Sequence, residues 1–185
     1  MDKHTGTIDA ADLEMSVVIP AYNEAERIET MLEEAIEYLD ETYGRSPGAR
    51  KSSGKVPGKN AEAHIGGYEI LVVDDGSKDN TVDVVLEFSR KHQLDDVLRV
   101  CKLRENRGKG GAVTHGFRHV RGAYTVFADA DGASKFKDLG KLVIGCDAVS
   151  DEPRRGVAVG SRAHLVGSEA VVKVGSQLLF FPPET

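Results

Sequence analysis

Apolar residues in this chain fall into two alternating patterns. Short unbroken runs occur at Val17-Val18-Ile19, at Ile70-Leu71-Val72-Val73 and at Ala123-Tyr124-Thr125-Val126-Phe127-Ala128. Between them, Ile28, Met31, Leu32, Ala35, Ile36 and Leu39, and later Val82, Val85, Leu86 and Phe88, recur at helical spacing. The pattern predicts strands at about 15–19, 68–73, 97–103, 123–128 and 156–160. Helices are predicted from Asn23 to Thr42, after Asp79 or Asn80, from the Gly108 region to His119, and over 135–149. Asn23 reads as a helix N-cap, with Glu24 and Glu26 complementing the dipole of the first turn. Strands without polar alternation are buried on both faces. The chain is therefore expected to fold as an α/β domain, a mostly parallel Rossmann-like sheet with helices on both sides.

Polar residues gather where these strands stop, and ligands of such sheets bind at the carboxyl ends of strands. Asp129-Ala130-Asp131 closes the fourth run and Gly132 follows, allowing an unusual backbone turn. Two carboxylates one residue apart suit a hard cation, Mg²⁺ or Mn²⁺, with open positions for diphosphate oxygens. Asp129 and Asp131 are thus the expected metal ligands. Pro20, Ala21, Tyr22 and Glu24 end the first strand, where backbone groups can meet a base and ribose. Asp74 and Asp75 end the second; either can accept the imide N–H of uracil, and Asp75 is favoured for direct contact. Arg107-Gly108-Lys109-Gly110-Gly111 opens a helix with free N–H groups beside Arg107 and Lys109, which suits an anion. It lacks the P-loop spacing, and no Gly-x-Gly-x-x-Gly follows the first strand. Arg162, after the fifth strand, is placed to meet a sugar or phosphate, or else forms a surface ion pair. Together these clusters describe a pocket for a nucleotide sugar.

Length and composition set outer limits. The 185 residues make one domain, with 40% hydrophobic and 29% charged residues, ordinary for a globular protein. A net charge of −6 argues against a general nucleic-acid binder. Cys101 and Cys146 match no zinc or redox motif and are expected as two reduced, buried thiols. His115 and His119 lie one helical turn apart without a third metal ligand. No stretch reaches the length of a membrane span, and the first residues lack the apolar core of a signal peptide. Residues 1–13 read as a flexible polar lead. The segment 44–67, rich in Gly and Pro and carrying Arg45, Arg50, Lys51, Lys55 and Lys59, reads as an inserted solvated loop rather than a membrane contact.

The segments Ser16–Glu24 and Val73–Ser77 resemble those of glycosyltransferase family 2, inverting enzymes of the GT-A type. More specific are Asn106–Val113, Ala128–Phe136 and Gly160–Leu165, which resemble the branch of that family that acts on dolichyl phosphate. The resemblance runs over residues 14–173, a nucleotide-sugar-binding domain. It implies transfer of glucose from UDP-glucose to dolichyl phosphate for protein N-glycosylation, at the cytosolic face of the endoplasmic reticulum membrane. The alternative within the branch is mannose transfer from GDP-mannose. It further implies donor binding by Pro20, Ala21, Tyr22, Glu24, Asp74, Asp75, Arg107, Lys109, Asp129 and Arg162. No catalytic base is assigned: a phosphate monoester, with its second pKa near ~6, is already largely dianionic at neutral pH.

After about Lys173 the sequence departs from the family's pattern. Residues 174–185 form a short apolar tail, where family members continue through an acceptor-side region. An N-terminal membrane anchor typical of the family is also not seen. The expectation is a donor half with the acceptor half incomplete, and hence either an enzyme or a nucleotide-sugar-binding fragment without transfer. An exposed sheet edge is expected beside Leu178, Leu179, Phe180 and Phe181.

Overall fold

The computed structural model describes residues 11–46, 66–132, 135–150 and 156–160, and the backbone of 178–180. Its elements are β1 (Leu13–Ala21), α1 (Ile28–Thr42), β2 (Tyr68–Asp74), α2 (Thr81–His92), β3 (Leu98–Lys102), α3 (Gly108–Gly116), β4 (Gly122–Phe127), a 3-10 turn (Phe136–Asp138), α4 (Leu139–Val149), β5 (Val157–Val159) and β6 (Leu178–Phe180). One sheet holds all six strands in the order β3-β2-β1-β4-β6-β5. Neighbours among β1 to β4 are parallel, in a register that sets Ala21 beside Asp74 and Asp74 beside Lys102. The chain therefore steps outward one way through β1, β2 and β3, then returns to the far side of β1 for β4. That reversal leaves a crevice at the carboxyl ends of β1 and β4.

The unbroken apolar runs are explained by what covers them. Met15, Val17, Ile19 and Ala21 of β1 face a large core shared with α1, Val85 and Phe88 of α2, and Leu139, Val143 and Cys146 of α4. Val18, with Leu71 and Val73 of β2, faces the other way, onto Ala112 of α3. Helices thus cover both faces, as the sequence pattern requires. Fully burying each of these aliphatic side chains stabilises the fold by roughly 1.5–3 kcal/mol.

Several boundaries differ from the sequence-based expectation. Helix α1 begins at Ile28 rather than after Asn23. Asn23 has φ of 56° and its Oδ1 accepts the Lys78 N–H at 2.9 Å, so its side chain serves a neighbouring loop instead of a helix end. Asp79, not Asn80, supplies the acceptor before α2, taking the Thr81 N–H at 3.0 Å. Helix α3 stops at Gly116, short of His119, and α4 is preceded by the 3-10 turn, whose Phe136 N–H donates to Glu34 Oε1 at 2.9 Å. Cys146 is buried but Cys101 is half-buried, which corrects the expectation of two buried thiols.

The apolar tail is a larger correction. Leu178–Phe180 pairs antiparallel with β4 on one side and with β5 on the other. Its backbone groups are used within the sheet, so this segment is an inner strand rather than an exposed edge. Of the basic insertion, Gly44–Ser46 and Gly66–Gly67 are described. Arg45 pairs with Asp40 and donates to the carbonyls of His92 and Gln93, and Gly67 donates to the Tyr43 carbonyl at 3.0 Å. Both ends of the insertion are therefore anchored at the amino end of the sheet, where Tyr68 begins β2. Residues 47–65 lie outside the described residues, as do 1–10 of the N-terminal lead. Among the described residues no helix is long and apolar enough to cross a membrane.

Candidate functional site

Parallel strands stop in step at one end of the sheet, so the loops after β1, β2, β3 and β4 meet there. The first two are fastened together. Asp75 N–H donates to the Ala21 carbonyl at 2.8 Å, which carries the pairing of β1 and β2 one residue past the strand. Beyond it, Asn23 N–H donates to Ser77 Oγ at 2.9 Å, Glu24 N–H to Thr81 Oγ1 at 2.9 Å, and Ala25 N–H to Asp79 Oδ2 at 3.2 Å. With the return bond from Lys78 N–H to Asn23, the loop bearing Tyr22 and Glu24 is held rigidly against the loop bearing Asp74 and Asp75. Asn23, Ser77, Asp79 and Thr81 were not singled out as site residues from sequence. Their signal was the run of turn-forming Asp, Gly, Ser and Asn from Asp74 to Asn80.

The third loop is attached to the second through Asp75. This carboxylate is nearly buried, and its Oδ1 accepts the Arg107 N–H at 2.7 Å. Gly108 N–H donates to Asn106 Oδ1 at 3.0 Å. The N–H groups of Arg107 and Gly108 are thus already engaged, contrary to the expectation of a helix start with wholly free donors. Asp74 is fully buried; its Oδ1 accepts the Ser77 N–H at 3.2 Å and its Oδ2 has no hydrogen-bond partner among the described residues.

Across the crevice, Asp129 follows β4 and forms an ion pair with Lys109 at the start of α3. The Lys109 ammonium also lies 5.5 Å from the centre of the Phe127 ring. Asp131 is exposed beyond it, and Gly132 takes φ of 68°, as the sequence suggested. On the opposite wall Glu24 pairs with Arg27 at 2.6 Å. Burial raises the Glu24 carboxyl above its ordinary value; Arg27 opposes this, while the charges of Asp131 and Asp79 add to it. Glu24 and Asp131, from separate loops, therefore share one field. Tyr22, 40% exposed, stands at the rim, and Pro20 and Ala21 form the floor where β1 ends. The structure thus gathers Pro20, Ala21, Tyr22, Glu24, Asp74, Asp75, Arg107, Lys109, Asp129 and Asp131 at one end of the sheet. Arg162 lies outside the described residues.

The donor set fits a hard divalent cation. Such an ion needs only one or two carboxylates when waters and substrate phosphates complete its shell. Asp129 and Asp131 supply two, and Asp129 already carries a cationic partner in Lys109. No group of three or more His, Cys, Asp or Glu suited to a metal occurs among the described residues, so an all-protein cage is not formed by them. His115 and His119 lie 4.9 Å apart, ring centre to ring centre, as a tilted pair on the α3 side.

The pattern of glycosyl transferase family 2 matches residues 16–170, which takes in every one of these loops. The chain belongs to this family. It is 43% identical over 176 residues to the dolichyl-phosphate beta-glucosyltransferase of Saccharomyces cerevisiae, covering 89% of this chain and 46% of that one. The Drosophila melanogaster protein of the same name is 44% identical over 158 residues, 85% of this chain and 43% of that one. The chain therefore spans less than half the length of these curated relatives. Among solved structures, it is similar to the mannosyltransferase PcManGT from Pyrobaculum calidifontis in complex with GDP-Man and Mn²⁺. That likeness has 27% identity and a TM-score of 0.50, and covers 74% of this chain and 34% of that one. The sheet and its helices are accordingly those of a GT-A α/β fold.

Proposed function

We propose that this chain is the donor-binding part of an enzyme that transfers glucose from UDP-glucose to dolichyl phosphate, giving dolichyl β-D-glucosyl phosphate. The observation that carries this reading is the identity above 40% to two dolichyl-phosphate beta-glucosyltransferases, over the stretch that builds the strand-end loops. Residues 14–173 form the nucleotide-sugar-binding domain of this reading.

Each loop has a task in this scheme. The rim of Pro20, Ala21, Tyr22 and Glu24 receives the base and ribose, with Tyr22 packing beside the base. Asp75 accepts the imide N–H of uracil, and its bond to the Arg107 N–H keeps it aimed; Asp74 holds the turn that presents it. Arg107 and Lys109 are assigned to the diphosphate, and Arg162, outside the described residues, to the sugar or a phosphate. Asp129 and Asp131 would hold Mg²⁺ or Mn²⁺, which when bound would supply positive charge to the nucleoside diphosphate leaving group. The nucleophile is an oxygen of the lipid phosphate. It is already anionic, so attack on the anomeric carbon with inversion depends on in-line positioning and not on a basic side chain. In this reading the lipid acceptor puts the reaction at a membrane surface, which the family resemblance assigns to the cytosolic face of the endoplasmic reticulum.

Calorimetric titration of the purified chain with UDP-glucose, with and without Mn²⁺, tests the donor half, and GDP-mannose serves as the comparison. Metal-dependent binding of UDP-glucose alone is the expected result, abolished in Asp131→Asn. Preference for GDP-mannose would replace glucose with mannose in this scheme, and binding of neither would overturn it. Transfer to dolichyl phosphate then distinguishes a working enzyme from a donor-binding fragment.

A further inference from the structure

Lys109 is in an unfavourable place for a cation. It lies in the first turn of α3, where the helix dipole presents positive charge. It is held there by two contacts from β4 and its following loop: the Asp129 carboxylate and the Phe127 ring. Asp129 is also a carboxylate assigned to the metal in the proposed function, on which this inference rests. A divalent ion and the Lys109 ammonium therefore compete for one partner. Gly108 and Gly110, on either side of Lys109, place no side chain beside its stem, and the ammonium is half exposed.

We infer that Lys109 is the internal counter-ion of the site. Without donor it occupies Asp129 and lowers the affinity for free divalent cation. When a cation arrives together with a nucleoside diphosphate, Lys109 exchanges its carboxylate for the diphosphate oxygens. The site then takes metal chiefly as the metal–nucleotide complex, and charge near the crevice stays balanced in both states. The pair is partly exposed, with Asp129 at 25% and Lys109 at 52% side-chain exposure, so the exchange is not blocked by burial. Repulsion between a unit charge and a divalent ion a few ångströms apart in a largely aqueous setting, plus loss of the pair, corresponds to roughly tenfold to a hundredfold in affinity.

Mn²⁺ binding followed by the loss of its free-ion paramagnetic resonance signal tests this directly, on the wild-type chain and on Lys109→Met, each with and without UDP. In the variant, Mn²⁺ alone is expected to bind at least about tenfold more tightly than in wild type, and the enhancement of Mn²⁺ binding by UDP is expected to shrink. Adding Asp129→Asn should remove the gain. If Lys109→Met binds Mn²⁺ no better than wild type, while both take Mn²⁺ with UDP, the exchange is wrong and the donor site stands. If wild type takes no Mn²⁺ even with UDP, the donor-site reading itself fails, and the exchange with it. Lys109→Gln, checked by circular dichroism, serves in place of the first variant should that one not fold.

Discussion

Replacing Gly116 by alanine would test how the approach of one helix shapes the site. Gly116 is the last residue of α3, and the helix rests there directly on β1 and β2. A Cβ added at this position would lie 2.5 Å from Val18 Cγ1 and 3.0 Å from Val73 Cγ2. Carbon atoms prefer separations of about 3.5–4.0 Å, so the helix must move by about 1 Å. Neither valine can yield easily: both are fully buried, and β-branched side chains on a strand have few rotamers. Overpacking of this kind costs about 1–3 kcal/mol, while alanine in a helix gains up to about 1 kcal/mol over glycine. The net loss of about 1–2 kcal/mol corresponds to a fall in Tm of about 2–8 °C for a chain of this size. Because α3 moves as a rigid rod, the 2.7 Å bond from Arg107 N–H to Asp75 stretches as well. A stretched bond aims Asp75 less firmly, so UDP binding should weaken as well. Gly110→Ala in the same helix is the control. A Cβ there meets nothing within 4 Å, so only the propensity gain applies, and Tm should rise by about 1–4 °C. Differential scanning fluorimetry of both variants, with calorimetric titration of UDP, gives the answer. Opposite signs of the two shifts support the reasoning; a Gly116→Ala protein as stable as wild type and binding UDP normally would refute the close packing of α3.

Asp75→Ala should cost about 1.5–3 kcal/mol of stability by leaving the Arg107 N–H without its charged acceptor, and should weaken UDP binding; Asp75→Asn, which keeps an acceptor oxygen, should recover most of the stability in a urea melt. Glu69 predicts the acid limit of the fold. Burial pushes its carboxyl upward, but hydrogen bonds from Arg99, Ser16 and the Arg121 N–H outweigh this and set it below the ordinary value of 4.5. A group depressed in the folded state contributes stability above its unfolded pKa and loses that contribution as pH falls through the folded one. Tm of the wild type should therefore drop below about pH 4.5, and Glu69→Gln should be less stable at neutral pH with a flatter acid limb. Maleimide labelling followed by mass spectrometry should modify half-buried Cys101 in the native protein and spare Cys146, whose thiol is pushed up to about 11, chiefly by burial.

What could be read from the sequence, and what could not, divides along a physical line. Strands such as Val17-Val18-Ile19 and Ile70-Leu71-Val72-Val73 were legible because burial on both faces removes every polar position from the run, leaving a signature that needs no partner to interpret. The positions of Asp75 and Asp129 followed, since each polar cluster begins where such a run ends. Asn23 was misread because an amide side chain before a helical pattern has two uses. It can cap its own helix or satisfy the N–H of Lys78, 55 residues away, and only the adjacency of β1 and β2 decides between them. Leu178–Phe180 was misread for a related reason. A three-residue strand within that tail is too short for periodicity to act on, and its value lies in the sides of β4 and β5 that it joins.

The same distinction explains why the strand-end clusters were visible and their interlocking was not. Residue types reveal what a loop can bind: carboxylates a cation, glycines and cations an anion. They do not reveal that Asp75 is committed to the backbone of Arg107, or that Lys109 is committed to Asp129. Those commitments make the crevice a connected frame, in which the first loop is locked to the second, the second to the third, and the third to the fourth. A frame of this kind holds its donor groups in place before any ligand arrives, so little of the binding energy is spent on ordering loops. Its weak point is the Lys109–Asp129 contact, the link made between two side chains rather than through a backbone N–H. In the proposed exchange, a change of partners there leaves the backbone bonds of the other loops intact, so this is the link that would respond to a metal–nucleotide complex.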